Sequence, residues 1–204
     1  EVPGEKPSAR EKFLGENWKD ELNKDYELKE YLGFNYLEFK TAVLEAIKSD
    51  NFEDLKGKKS LGLLNSKQIN ELRNVMFDGF NKGKSIRTIA KDIELKVKPG
   101  ARYVQDGNKK YLQFSAEERP IVIARTESTR MAGLGALHSY EDKGIQEKKW
   151  VAAVSDRTCE RCLALDGQIV KINESFQAID GTEVLTPGLH IFCRCSLAPV
   201  TELG

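Results

Sequence analysis

"DRTCERCLALDG", residues 156–167, decides how the end of this chain folds. Cys159 and Cys162 stand with two residues between them, just after a charged turn. Some thirty residues on, "HIFCRC", residues 190–195, supplies Cys193, Cys195 and His190. The chain has 204 residues, 4 cysteines and 2 histidines, so every cysteine and one histidine gather at one end. Thiolate and imidazole are the ligands a tetrahedral zinc ion takes. A C-x-x-C turn sets two sulfurs on one side of a tight loop. Cys159 and Cys162 form that pair, and two of His190, Cys193 and Cys195 complete the set. Five candidates compete for four places. Side chains of a C-x-C on an extended strand point to opposite faces, whereas in a turn both converge.

Other chemistries use cysteines too. Disulfides are the main rival if the protein ends outside a cell, and free buried thiols are the third possibility. A thioredoxin-like dithiol opens a helix within a βαβ unit, and no such pattern precedes Cys159. A zinc deaminase needs H-x-E and P-C-x-x-C. Here "HSYE" at His138 has the wrong spacing, and Thr158 stands where that motif has proline. A shell filled by Cys and His leaves no open position for a catalytic water, so the expected zinc is structural.

Around the cysteines the texture is that of short strands. "KKWVAAVSD", "GQIVKI" and "TEVLT" are rich in β-formers and separated by turns. Upstream the chain reads as helical. Tyr36, Phe39, Val43, Leu44 and Ile47 recur at three and four residues, closing a helical stretch that begins near Phe13. Residues 1–10 read as a leader and 51–65 as a linker. Asn65 or Ser66 caps the next helix, whose face is Ile69, Leu72, Val75, Met76 and Phe80, and Gly83 stops it. Ser85 caps "SIRTIAKDIEL", with Ile86, Ile89, Ala90 and Ile93 on one stripe. Such a pair can read DNA as a helix-turn-helix, but the second helix offers only Arg87 and Lys91 outward. A hairpin is expected around "DGNKK" within 97–114.

The longest helical candidate is 115–144. Ser115 and Glu118 fit a capping box, Pro120 sits in the first turn and Gly144 closes the helix. Ile121, Ala124, Ser128, Ala132, Gly135 and Ala136 give it a narrow face of mostly small residues, suited to close helix packing. The fold class is therefore α+β: helical for three quarters of the length, then a small β-rich, cysteine-containing unit. The divisions expected are 1–65, 66–146 and 147–204.

Composition is that of a soluble protein, with 40% hydrophobic and 31% charged residues. The 32 basic and 32 acidic residues balance, which argues against a broad nucleic-acid footprint. No apolar run approaches the roughly 20 residues that span a bilayer. The opening "EVPGEKPSAREK" is polar and lacks an initiator Met, as expected of a piece of a longer protein.

Several phrases fall in a fixed order: "IARTESTRMAGLGAL", "KKWVAAVSDRTCERCLALDGQIV" and "PGLHIFCRC". Together they resemble the phage Mu protein F-like family, minor head or head-morphogenesis proteins of tailed phages and prophages. The resemblance runs from about residue 70 to 200 and includes Ala124-Arg125-Thr126-Glu127, the Trp before a strand, Asp-x-x-Cys-x-x-Cys, Asp-Gly and His-x-x-Cys-x-Cys. "TPGLHIF" departs from the family's proline-rich step around its final His, which alters a loop and not the candidate ligands.

The resemblance implies a structural, non-enzymatic minor capsid protein, acting at the portal vertex or capsid interior in head assembly or genome delivery. Its partners would be the portal protein and other head proteins, in the host cytoplasm during assembly and then in the virion. Arg125 is expected to anchor the long helix to the β unit, and Asp156 to cap the turn before Cys159. One alternative is the carrier portion of a phage-derived toxin. Another is a nucleic-acid-binding module touching packaged DNA, with Lys148, Lys149, Arg157, Arg161 and Arg194 as its basic patch.

Overall fold

The computed structural model describes residues 36–50, 52, 55, 62–154 and 158–201. The expected leader, the helical stretch before Tyr36, Asp156 and Arg157 lie outside the described residues.

Helix α1 spans Tyr36–Ser49, α2 Ser66–Asn81 and α3 Ile86–Asp92, which runs on into a π-helical turn, Ile93–Val97. Each starts and stops for a local reason. Asn65 Oδ1 accepts the Gln68 N–H at 2.9 Å while Gln68 Oε1 accepts the Asn65 N–H at 3.1 Å, a reciprocal capping box. Gly83, at φ +62°, carries the chain out of α2. Ser85 Oγ accepts from Thr88 N at 3.2 Å and opens α3. The π-turn was not legible in the sequence. It ends where Lys98, at φ +50°, returns its N–H to Ile93 O at 3.0 Å.

Hairpin strands β1, Arg102–Asp106, and β2, Lys109–Phe114, follow, joined through Gly107 and Asn108 with Asp106 opposite Lys109. Gly107 takes φ +55°, as a tight hairpin turn requires. Helix α4 then spans Arg119–Asp142. The expected capping box precedes it: Ser115 Oγ accepts from Glu118 N at 3.2 Å and Glu118 Oε2 from Ser115 N at 3.0 Å.

The four helices share one core. Val43 and Ile47 of α1, Leu72 and Met76 of α2, Ile89 and Ile93 of the α3 segment, and Ile123 and Met131 of α4 are all buried in it. The small-residue face of α4 has the expected use at Gly135. A β-carbon there would come within 3.0 Å of the Val43 Cα and N, so only glycine lets α1 approach this closely.

Buried charges tie the helices together. Arg119 is 1% exposed, and its Nη1 donates to the carbonyls of Gly62, Pro99, Gly100 and Ala101. Burial lowers its pKa to about 10, assisted by Arg102. Arg130 of α4 reaches back to Asp50, just past α1, and shares itself with Glu127.

The β unit follows: β3 Glu147–Val151, a short helix α5 Glu160–Leu165, β4 Ile169–Lys171, β5 Phe176–Gln177, β6 Glu183–Val184 and β7 Ser196–Val200. Strand order is β4-β3-β7, antiparallel throughout, with Trp150 opposite Leu197 and Lys148 opposite Pro199. Proline is tolerated in β7 because that strand is an edge. β7 and α5 were not read from the sequence, the first hidden by its proline and the second by being little more than one turn.

Lys148 and Trp150 alternate inward on β3, both 0% exposed. Trp150 meets Phe176 edge-on, ring centroids 5.3 Å apart. Tyr140 of α4 donates to Leu197 O at 3.0 Å, joining the long helix to β7. Helices dominate the first part and antiparallel strands the last, so the α+β reading holds.

Candidate metal centre

α5 carries the first half of the site. Cys159 is its N-cap and Cys162 lies one turn on, with Leu163 N–H donating to Cys159 O at 3.0 Å. Residues three apart across this turn place both sulfurs on one side. Asp166 and Gly167 fix the far end of α5. Asp166 Oδ1 accepts the Ala152 N–H at 2.8 Å, and Gly167, at φ +75°, donates to Trp150 O at 2.9 Å. The Asp-Gly step thus straps the cysteine helix to β3.

The second half is a turn closed by Cys193 N–H on His190 O at 3.1 Å. Within it Phe192 sits at φ +62°. That region is uncommon for a bulky side chain and persists only where neighbours enforce it. Two threonines of α4 are those neighbours. Phe192 N–H donates to Thr126 Oγ1 at 3.3 Å, and Thr129 Oγ1 donates to Cys193 O at 3.0 Å.

The two halves meet. His190 Nε2 lies 3.2 Å from Cys159 Sγ and 3.0 Å from Cys162 Sγ, and Cys162 Sγ lies 4.0 Å from Cys193 Sγ. Cys159, Cys162 and His190 form one close set of donor atoms, and Cys162, Cys193 and Cys195 a second, so Cys162 belongs to both. All five expected candidates are gathered in one place. Cys162, Cys193 and Cys195 are buried and Cys159 is half-buried. All four are free thiols, with no pair at the roughly 2.05 Å of an S–S bond.

The donor chemistry fits a metal. His190 Nδ1 is 2.8 Å from Ile191 O, a contact that needs the proton on Nδ1. Nε2 then points at the two sulfurs, the orientation a ligating histidine takes when a carbonyl holds its other nitrogen. The thiols are electrostatically unequal. Burial pushes Cys162 up to about 12. Cys193 is pulled down by the Cys195 thiol and by the backbone N–H groups of Cys195 and Gly188. Cys195 is pushed up by its contact with Cys193 and by burial. The indole N–H of Trp150, buried and without an oxygen acceptor, bears on the Cys195 sulfur and favours its thiolate.

Two expectations need correction. Arg125 is exposed, and its side chain makes no hydrogen bond or ion pair among the described residues. The anchors between α4 and the cysteine loop are Thr126 and Thr129, its neighbours on the inward side. Among the described residues the expected basic patch does not assemble either. Lys148 is buried with its Nζ on Ile172 O at 2.7 Å, Lys149 is half-buried, and Arg161 is paired with Asp180 at 2.8 Å. Arg194 is exposed.

With fold and site in view, comparison with known proteins gives a consistent answer. The model of the family described as "Phage Mu protein F like protein" matches residues 70–198, more than half of the chain. The chain belongs to this phage protein family. It is also similar to Minor head protein GP7 of Bacillus phage SPP1, 32% identical over 128 residues. The match covers 57% of this chain and 41% of that relative, so the chain spans well under half the length of the curated protein it matches. No solved structure matches it. Among the described residues, no helix is long and apolar enough to cross a membrane.

Proposed function

We propose that this chain is a structural minor head protein of a tailed phage or prophage, acting at the portal vertex or capsid interior without catalysing a reaction. Membership of the Mu F-like family and the likeness to a protein named as a minor head protein support the head role. The side chains of the Ala-Arg-Thr-Glu segment support the absence of catalysis. Glu127 is buried on Arg130 at 2.7 Å, while Arg125 faces solvent away from it.

In the same reading the terminal unit is braced by a structural zinc ion held by Cys159, Cys162, His190 and Cys193. The observation that carries this is His190 Nε2, within 3.2 Å of two cysteine sulfurs while a carbonyl holds Nδ1. Two donor pairs of matching spacing, Cys-x-x-Cys and His-x-x-Cys, approach each other from α5 and the 190–193 turn. A β unit this small has little core of its own, and a metal brace offsets that.

Two measurements test the reading. Metal content of untagged protein purified under reducing conditions should be one zinc per chain, with melting lowered by a strong chelator. No zinc and four free thiols would remove the brace. The head role predicts that the protein co-migrates with the portal protein of its own phage and is recovered from purified heads. Absence from heads would overturn it.

A further inference from the structure

The loop that carries His190 and Cys193 is laid along one stripe of α4. Thr126, Thr129, Arg130 and Gly133 stand at i, i+3, i+4 and i+7, the spacing of a single helix face. Each meets the loop. Thr126 Oγ1 accepts the Phe192 N–H at 3.3 Å, and Thr129 Oγ1 donates to Cys193 O at 3.0 Å. Gly188 lies so close to Arg130 that a β-carbon there would sit 3.2 Å from its Cβ. Gly133 faces Pro187 O at 3.2 Å in the same sense. The same stripe is tied to the end of α1, since Arg130 grips Asp50 at 2.5 Å and Glu127 at 2.7 Å.

From this we infer that Thr126 and Thr129 are positioning residues of the metal centre, so that metal loading and docking of the 186–193 loop on α4 are one event. The inference rests on the metal reading above. The two hydroxyls bond the backbone at Phe192 and Cys193, so they fix the one turn that aims both His190 and Cys193 inward. Phe192 holds φ +62° against its own preference, which is the conformation those two bonds enforce. Backbone partners of this kind orient ligands, and their loss typically weakens metal binding by about 10–100-fold. A purely structural pair would stabilise the protein equally with and without metal.

The test uses cobalt(II) and zinc with the 204-residue chain. Thr126→Val and Thr129→Val delete the hydroxyls and keep the shape; Thr126→Ser and Thr129→Ser keep the hydroxyls. Cobalt–thiolate absorption reports the coordination geometry, and competition with a chelator gives affinity. Positioning predicts that the double valine variant binds zinc about tenfold or more weakly, with an altered cobalt spectrum and affinity restored in the double serine variant. It also predicts that the variant's melting point falls further in the loaded protein than in the metal-free one. Affinity within twofold of wild type, or equal losses of stability in both forms, overturns the inference while the metal reading stands. Wild-type protein that takes up neither ion overturns both, and is recognised as that before any variant is made.

Discussion

Arg130 holds Asp50 with both terminal nitrogens, at 2.5 and 2.8 Å, across 80 residues of chain. The same guanidinium bonds Glu127 through Nε and Nη2 and lies 5.4 Å from the centre of the Phe52 ring. One side chain therefore connects the end of α1, the middle of α4 and the loop above it. The pair is mostly buried, with 21% and 14% of the two side chains exposed. Removing one partner of a buried pair strands the other charge. Arg130→Met leaves Asp50 and Glu127 facing each other and is expected to cost about 3–5 kcal/mol, read as urea unfolding.

Asp50 also sets an acid limit. Burial pushes its carboxyl up, but the hydrogen bonds and charge of Arg130 outweigh that and hold it below the usual 3.8. A carboxyl depressed in the folded state contributes stability above its unfolded pKa and loses it as pH falls through the folded value. Stability should therefore drop below about pH 4 in wild type. Asp50→Asn, already weaker at neutral pH, should show a shallower drop. An equal slope in both proteins would assign the acid sensitivity elsewhere.

Lys148 works in the opposite sense. Burial lowers its ammonium from 10.5 to about 8, with Glu141 and Glu174 acting against the shift. The folded protein then binds fewer protons than the unfolded chain between those values, so stability rises with pH across that window. The cost of burying the charge is fully present below about pH 8. Lys148→Met keeps the stem beside Phe176 and removes the charge. It should be at least as stable as wild type at pH 7, and its stability should be flatter between pH 8 and 10. Destabilisation at pH 7 would mean that the bond to Ile172 O matters more than the charge.

Glycines on the helix faces give a graded test of packing. A β-carbon on Gly135 meets the backbone of Val43, which cannot move without α1. A β-carbon on Gly79 meets side-chain atoms alone, Ile89 Cγ1 at 2.7 Å and Cδ1 at 2.8 Å, which can shift without moving a helix backbone. Alanine gains about 1 kcal/mol in a helix over glycine. Overpacking costs about 1–3 kcal/mol. Gly135→Ala should be destabilising overall and Gly79→Ala close to neutral, measured side by side by thermal melting. The reverse order would show that α1 yields more easily than Ile89.

What was legible in the sequence follows from range. The caps at Asn65, Ser85 and Ser115, the hairpin turn at Gly107 and the apolar stripes of α2 and α3 are written within a few residues, and they appear where read. The gathering of Cys159, Cys162, His190, Cys193 and Cys195 was visible as spacing. Arg125 stands out as an anchor in the sequence because of its charge. Facing is decided by rotation about α4, and rotation turned Thr126 and Thr129 inward instead. Lys148 reads as a surface residue in the sequence because lysine usually is one. Only its alternation with Trp150 on β3 signals burial, and that needs the partner Phe176, which the local pattern does not name.

In the proposed zinc centre, geometry gives Cys193 and Cys195 different parts. Cys193 lies in the turn that also aims His190, closed by its own N–H on His190 O at 3.1 Å. It receives backbone N–H donors from Cys195 and Gly188, the setting that favours a ligating thiolate. Cys195 begins the extended path into β7 beside Trp150 and is, in that proposal, the donor left outside the set of four. Serine at Cys159, Cys162 or Cys193, or alanine at His190, should each abolish stoichiometric zinc. Each loss should exceed the roughly 10–100-fold that an outer partner contributes. Cys195→Ser should retain one zinc per chain, with affinity reduced no more than that outer-partner range. Metal content measured on the five variants under reducing conditions decides between the sulfurs. Zinc kept in Cys193→Ser and lost in Cys195→Ser would exchange the two assignments and make Trp150 the donor to a ligating thiolate.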